Sequence, residues 1–209
     1  MPKVTARKVW KAEAELEINR LALSCQYIEK GRGSSKKRFL VATDWLDKDG
    51  ETILWDVGKR LKGWLKQQIA TMKTSWKDRI QYGMICKSTP KAGYVPIAKL
   101  TDIEPSRNWH SFQHAEDYTL NGLPEPNVEV IMTEQKRSIF AMYYVLKEPI
   151  KLKVQIFSYA YGVYPEIVEE WLRTLGSIHG LGDLHNSSEG FGCFHVLDFK
   201  VVEDKELAF

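Results

Sequence analysis

Cysteine is scarce in this chain, and long apolar runs are missing altogether. The three cysteines, Cys25, Cys86 and Cys193, are odd in number and far apart, which argues against a disulfide framework and offers no C-x-x-C pair for zinc. They are expected to be reduced thiols of a cytosolic protein. No window approaches the run of about 18 apolar residues that a membrane-spanning helix needs, so no membrane partner is expected. Met1 to Arg7 lacks the apolar stretch of a secretory signal. Also missing are a G-x-x-x-x-G-K phosphate loop, a G-x-S-x-G elbow and an H-E-x-x-H zinc pair. The expectation is therefore no cofactor and no metal. A large excess of one charge is absent too: the formal net charge is only +3.

What is present fits one ordinary domain over residues 1–209. A chain of 209 residues with 44% apolar content is long enough to bury a core. The basic residues are clustered rather than spread. Lys3, Arg7, Lys8 and Lys11 crowd the start, and Lys36, Lys37 and Arg38 follow a Gly/Ser-rich stretch at Gly31 to Ser35. Lys59, Arg60, Lys62 and Lys66 fall within one helical pattern. Clustered cations on a nearly neutral chain are what a surface for a phosphate backbone looks like, although a solvated helix face reads the same way.

The periodicity predicts the elements. Residues 12–28 alternate apolar and polar although Ala, Glu and Leu are strong helix formers; strand is the preferred reading, with a one-residue slip after Arg20 that suits a bulge. Phe39 to Thr43 is a second short strand. Val57, Leu61, Trp64, Leu65, Ile69 and Met72 form the stripe of a helix over 56–76, with Asp56 as N-cap. A strand is expected at Gln81 to Cys86. Residues 88–127, rich in proline, read as an irregular insertion or subdomain in which Tyr94, Trp109, Phe112 and Tyr118 are the aromatics expected to be buried. Val128 to Met132 and Ser138 to Leu146 read as a hairpin, and Ile150 to Phe157 as a strand. Tyr164-Pro165 opens a helix to Ile178 that Gly180 is expected to stop. A last strand runs over 192–201. Trp45 and Trp55 flank an acidic turn and mark either a hairpin or a protein contact, and any exposed tryptophan would be available to stack on bases.

The most informative stretch lies between the last helix and the last strand. It holds Gly180-Leu181-Gly182-Asp183, then His185 and Asn186, then Gly190-Phe191-Gly192-Cys193-Phe194. Helix, glycine-rich turn and strand is a geometry in which backbone N–H groups can face an anion. The same glycines would equally let the chain pack tightly.

Taken in order, the elements give a β-α-β-β-α-β ferredoxin-like α+β plan with the 88–127 insertion. With its glycine turn, the chain resembles the RAMP-type proteins of CRISPR systems. Their C-terminal loop starts G-x-G-like and ends G-[FY]-G-x-[FV]. It is similar, more closely, to small phage proteins that end in a G-x-G-D-W-R…G-x-F segment. The likeness is specific over about residues 138–202. Leu184-His185-Asn186 stands where those families often carry an arginine.

The resemblance implies a protein of the cytoplasm (the host's, if phage-encoded) that binds single-stranded RNA or DNA. The amides of Gly180, Gly182, Gly190 and Gly192 would lie near a phosphate, with His185 and Asn186 as side-chain partners and the cations of 36–38 and 59–66 supplying charge. Some RAMP-type endoribonucleases use a histidine base, which makes His179 and His185 the candidates for metal-independent cleavage. His110 and His114, four apart, would suit a metal only on a helix and with a third ligand. A third reading is a protein-interaction module, such as a phage inhibitor of a host defence, with a protein partner or a second copy of the chain. Nothing in the sequence demands catalysis, and non-enzymatic binding leads.

Overall fold

Trp10, Ala12, Ala14, Leu16 and Ile18 alternate with charged residues, so the strand they build, β1 (Arg7–Ile18), buries one face and wets the other. The computed structural model describes residues 7–31, 36–72, 75, 79, 82–83, 85, 93–132, 138–158, 163–183 and 189–207. In chain order it also contains β2 (Ala22–Lys30), β3 (Lys37–Ala42), β4 (Thr52–Asp56), α1 (Val57–Met72) and β5 (Tyr94–Lys99). Then come β6 (Tyr118–Thr119), β7 (Asn127–Met132), β8 (Ser138–Val145), β9 (Ile150–Ser158), α2 (Pro165–Leu175) and β10 (Phe194–Leu207).

The described strands fall into three sheets. β1 is the centre of an antiparallel three-stranded sheet ordered β10-β1-β9, and β2 joins a five-stranded sheet ordered β6-β3-β2-β8-β7. β4 and β5 form a separate ribbon. Trp64, Leu65 and Ile69 of α1 and Val168, Trp171 and Leu172 of α2 are buried with the apolar face of the three-stranded sheet. Its other face is a charge ladder in which Lys151 meets Glu17 at 3.7 Å and Gln155 donates to Glu13 at 3.0 Å. The 47–52 turn closes a hairpin that buries both Trp45 and Trp55. No helix among the described residues is long and apolar enough to cross a membrane.

This arrangement corrects the ferredoxin-like expectation. The strands anticipated for one β-α-β-β-α-β sheet are divided between separate sheets, and β4 rather than β1 leads into α1. Two local causes stand out. The slip in alternation after Arg20 is a corner, not a bulge: Arg20 takes φ 47° and the chain leaves one sheet for another. Tyr82, Gly83 and Ile85, expected in a strand, are helical, with Tyr82 and Ile85 buried. The insertion is also more ordered than its prolines suggested. It supplies β5 and β6, and it packs Trp109, Phe112 and Tyr118 together against Phe140 of β8.

Cys25 lies inside this core. Burial pushes its thiol up to about 12, outweighing a hydrogen bond with Tyr144 that acts in the opposite sense. The reactive thiolate is therefore nearly absent at pH 8. Thiol labelling followed by peptide mass mapping is expected to leave Cys25 unmodified in the native protein and to modify it fully after unfolding. Labelling of native Cys25 at the rate of an exposed thiol would refute this.

Candidate nucleic-acid interface

The glycine turn is built as two chain segments pressed together. α2 ends at Leu175 with Gly176 as its C-cap, earlier than the expected stop at Gly180, and Phe194 N–H donates to the Gly176 carbonyl at 2.8 Å. Leu181 N–H donates to the Gly192 carbonyl at 2.8 Å. Gly192 N–H points to the β1–β2 corner, 3.2 Å from the Asn19 carbonyl, and Asn19 N–H returns a bond to Cys193 O at 2.9 Å. A Cβ on Gly180 would lie 2.0 Å from Phe191 O, and one on Gly192 would lie 1.8 Å from Leu181 O. Close backbone approach is the reason for these two glycines. Both are buried, and the Gly192 amide is turned to the chain itself, not to solvent. Gly182 and Gly190 are half-buried with positive φ, and His185 and Asn186 lie outside the described residues.

Three side chains fasten this turn. Asp183 accepts a hydrogen bond from Ser24 N–H at 3.0 Å and takes both Nη groups of Arg60 on its two carboxylate oxygens. Trp64 Nε1 donates to the His179 carbonyl at 2.7 Å. Arg20 donates to the Glu189 carbonyl at 3.3 Å and lies over the Phe191 ring at 5.0 Å. The turn is thereby held against α1 on one side and the β1–β2 corner on the other.

Between α1 and the turn lies a cleft of about 330 Å³, lined by Lys59, Arg60, Gly63, Trp64 and Gln67 and by Gly180, Leu181 and Gly182. Lys59 and Arg60 stand out in the sequence as a cationic cluster and Gly180 and Gly182 as a glycine turn, and the fold brings the four to one place. Lys62 is half-buried and Lys66 exposed, and at helical spacing they continue the stripe begun by Lys59. Neither forms an ion pair among the described residues. Lys59 meets Asp44 at 3.4 Å. Burial works against the charge on Asp44, but its bond with Thr43 and the nearby Arg60 and Lys59 prevail and hold its carboxyl below the usual range.

No protein-family model and no curated protein matches this sequence. The site is therefore read from its own geometry.

Other candidates sit elsewhere. Lys36 and Arg38 both hydrogen-bond Glu29, at 3.1 and 3.3 Å, which holds that carboxyl below its usual range. Arg38 also lies against the rings of both Tyr27 and Tyr118, which touch each other edge to face, and Lys37 is exposed on the same strand. This group does not line the cleft. His179 is half-buried at its edge. His110 and His114 pair separately with Glu125 and Asp117, and no group of three metal-ligating side chains exists among the described residues. A larger groove of about 510 Å³ runs between β1, β9 and the start of α1. It carries Glu13, Glu15 and Asp198 beside Lys153 and Lys200, so a polyanion gains little there.

Two features escaped sequence reasoning. Asp183 and Arg60 are 123 positions apart and share no motif. Among the described residues the exposed aromatic side chains are not tryptophans: Trp10, Trp45, Trp55, Trp64, Trp109 and Trp171 are all buried, whereas Tyr94 is 48% exposed.

Proposed function

We propose that this protein binds single-stranded nucleic acid by its sugar-phosphate backbone and performs no chemistry on it. The observation that supports the reading is the meeting of Lys59 and Arg60 with the glycine turn in one cleft, next to a helix stripe that Lys62 and Lys66 continue. Lys59, Lys62 and Lys66 span about 10 Å of helix at 1.5 Å per residue. They form a positive rim beside Gly63, where nothing lies within 4 Å of a would-be Cβ. A phosphate chain following that rim approaches the helix backbone closely and displaces counterions as it binds. The buried glycines act as scaffold, and the lysines carry the attraction.

Fluorescence anisotropy with labelled single-stranded RNA and DNA across a salt series tests this. With three phosphates neutralised at about 0.7 in log–log slope each, affinity falls roughly 15- to 20-fold between about 50 and 200 mM salt. The strands stay intact on a denaturing gel. Undetectable binding at low salt would sink the reading and favour a protein-interaction role. Cleaved strands would move the weight to His179 and His185.

A further inference from the structure

The Tyr94 ring stands at the head of the basic stripe, and its strand pairing and its hydroxyl fix it there. In the β4–β5 ribbon Tyr94 is the register partner of Asp56. Asp56 caps α1 by accepting the Lys59 N–H at 2.9 Å. The Tyr94 hydroxyl donates to Asp44 Oδ2 at 3.3 Å, the same oxygen that meets Lys59 Nζ at 3.4 Å. The ring is thus tethered by its hydroxyl next to the first lysine of the rim and remains 48% exposed. Among the described residues no aromatic ring or cation lies against its faces. Among the described residues the other exposed tyrosine on a sheet, Tyr27, is already packed on Tyr118 and Arg38.

We infer that Tyr94 is a base-stacking platform, so that a single strand whose phosphates follow Lys59, Lys62 and Lys66 lays an unpaired base on the Tyr94 ring. The inference rests on the nucleic-acid reading of the cleft and adds to it the group that selects single strands over duplex. A duplex presents its phosphates to the lysines, but its bases are stacked on one another and cannot reach the ring. An unpaired base of any identity offers a π face, so the contact favours single strands without reading sequence. The hydroxyl tether orients the ring before the strand arrives.

The experiment compares wild type, Tyr94→Ala and Tyr94→Phe for binding to oligothymidylate, oligouridylate and a duplex of equal length at fixed salt. A strand carrying 2-aminopurine, whose fluorescence is quenched by stacking, is the spectroscopic probe. Tyr94→Ala is expected to weaken single-strand binding about tenfold and to abolish the quench. Duplex affinity and the salt slope should not change. Tyr94→Phe keeps the ring and is expected to retain both binding and quench. Single-strand affinity unchanged in Tyr94→Ala, with wild type binding normally, would overturn the stacking role and leave the cleft reading intact. Equal loss in Tyr94→Phe and Tyr94→Ala would overturn it in favour of positioning of Lys59 through Asp44. A wild type that binds no strand would overturn both.

Discussion

Gly192→Ala is expected to destabilise the fold by about 4–5 kcal/mol, at the extreme of single substitutions. The methyl group would sit 1.8 Å from Leu181 O and 2.9 Å from Leu181 C, both backbone atoms that no rotamer change can move. The residue also holds φ 72°, a left-handed conformation that costs a side-chain-bearing residue about 1–2 kcal/mol. Relief requires separating the two segments of the turn, which breaks the Leu181–Gly192 bond and the pair of bonds to the Asn19 corner. A domain with about 5–15 kcal/mol in hand keeps little after such a loss. Gly63→Ala is the contrasting control. It lies mid-helix with open space around it, so alanine is expected to stabilise by about 1 kcal/mol. Urea denaturation midpoints check both. A Gly192→Ala unfolding free energy within about 1 kcal/mol of wild type would mean that the turn is not pinned as described. Because Gly192 is scaffold, lost binding in that variant would say nothing about phosphate contact; the lysines have to be tested instead.

The elements with strong periodicity were legible in the sequence, and the way they assemble was not. α1 and its Asp56 cap, β9, and the β7–β8 hairpin all follow from local spacing, because the pattern and the buried face are properties of the same few residues. The sheet to which each strand belongs depends on events the pattern does not encode. The slip after Arg20 has one appearance for a bulge and for a corner, and only the bonds from Asn19 to Cys193 and from Gly192 back to Asn19 decide between them. The short apolar run at 82–85 is equally compatible with strand and helix, a known ambiguity of such runs. The candidate site divides along the same line. Its glycines and cations were visible as local clusters. Their meeting depends on the Arg60–Asp183 pair and on the bond from Trp64 to the His179 carbonyl, both non-local. Tyr94 was hidden for a related reason, since it lies in a proline-rich segment whose pairing with β4 has no local signature.

Lys62→Gln with Lys66→Gln is expected to have the largest effect on binding at the smallest structural risk. Neither lysine is fully buried, and neither is ion-paired among the described residues, so glutamine in their place leaves no carboxylate unpartnered. Lys59 and Arg60 are poorer choices, because removing either frees Asp44 or Asp183. If each lysine neutralises one phosphate of a single strand, the double variant loses about 1.4 from the slope of log affinity against log salt. Salt-dependence lines that converge near 1 M then differ about 25-fold at 0.1 M. The matching control is Lys151→Gln with Lys153→Gln, on the solvent face of the three-stranded sheet opposite Glu17 and Glu15. It changes net charge by the same amount at a face where acidic neighbours already neutralise the lysines. Anisotropy titrations at four or more salt concentrations separate local from general attraction. A reduced slope in the α1 variant alone places the phosphate track on the rim of the cleft. Equal losses in both variants would mean that the whole surface attracts the strand diffusely, and the cleft would then have no claim to be the site.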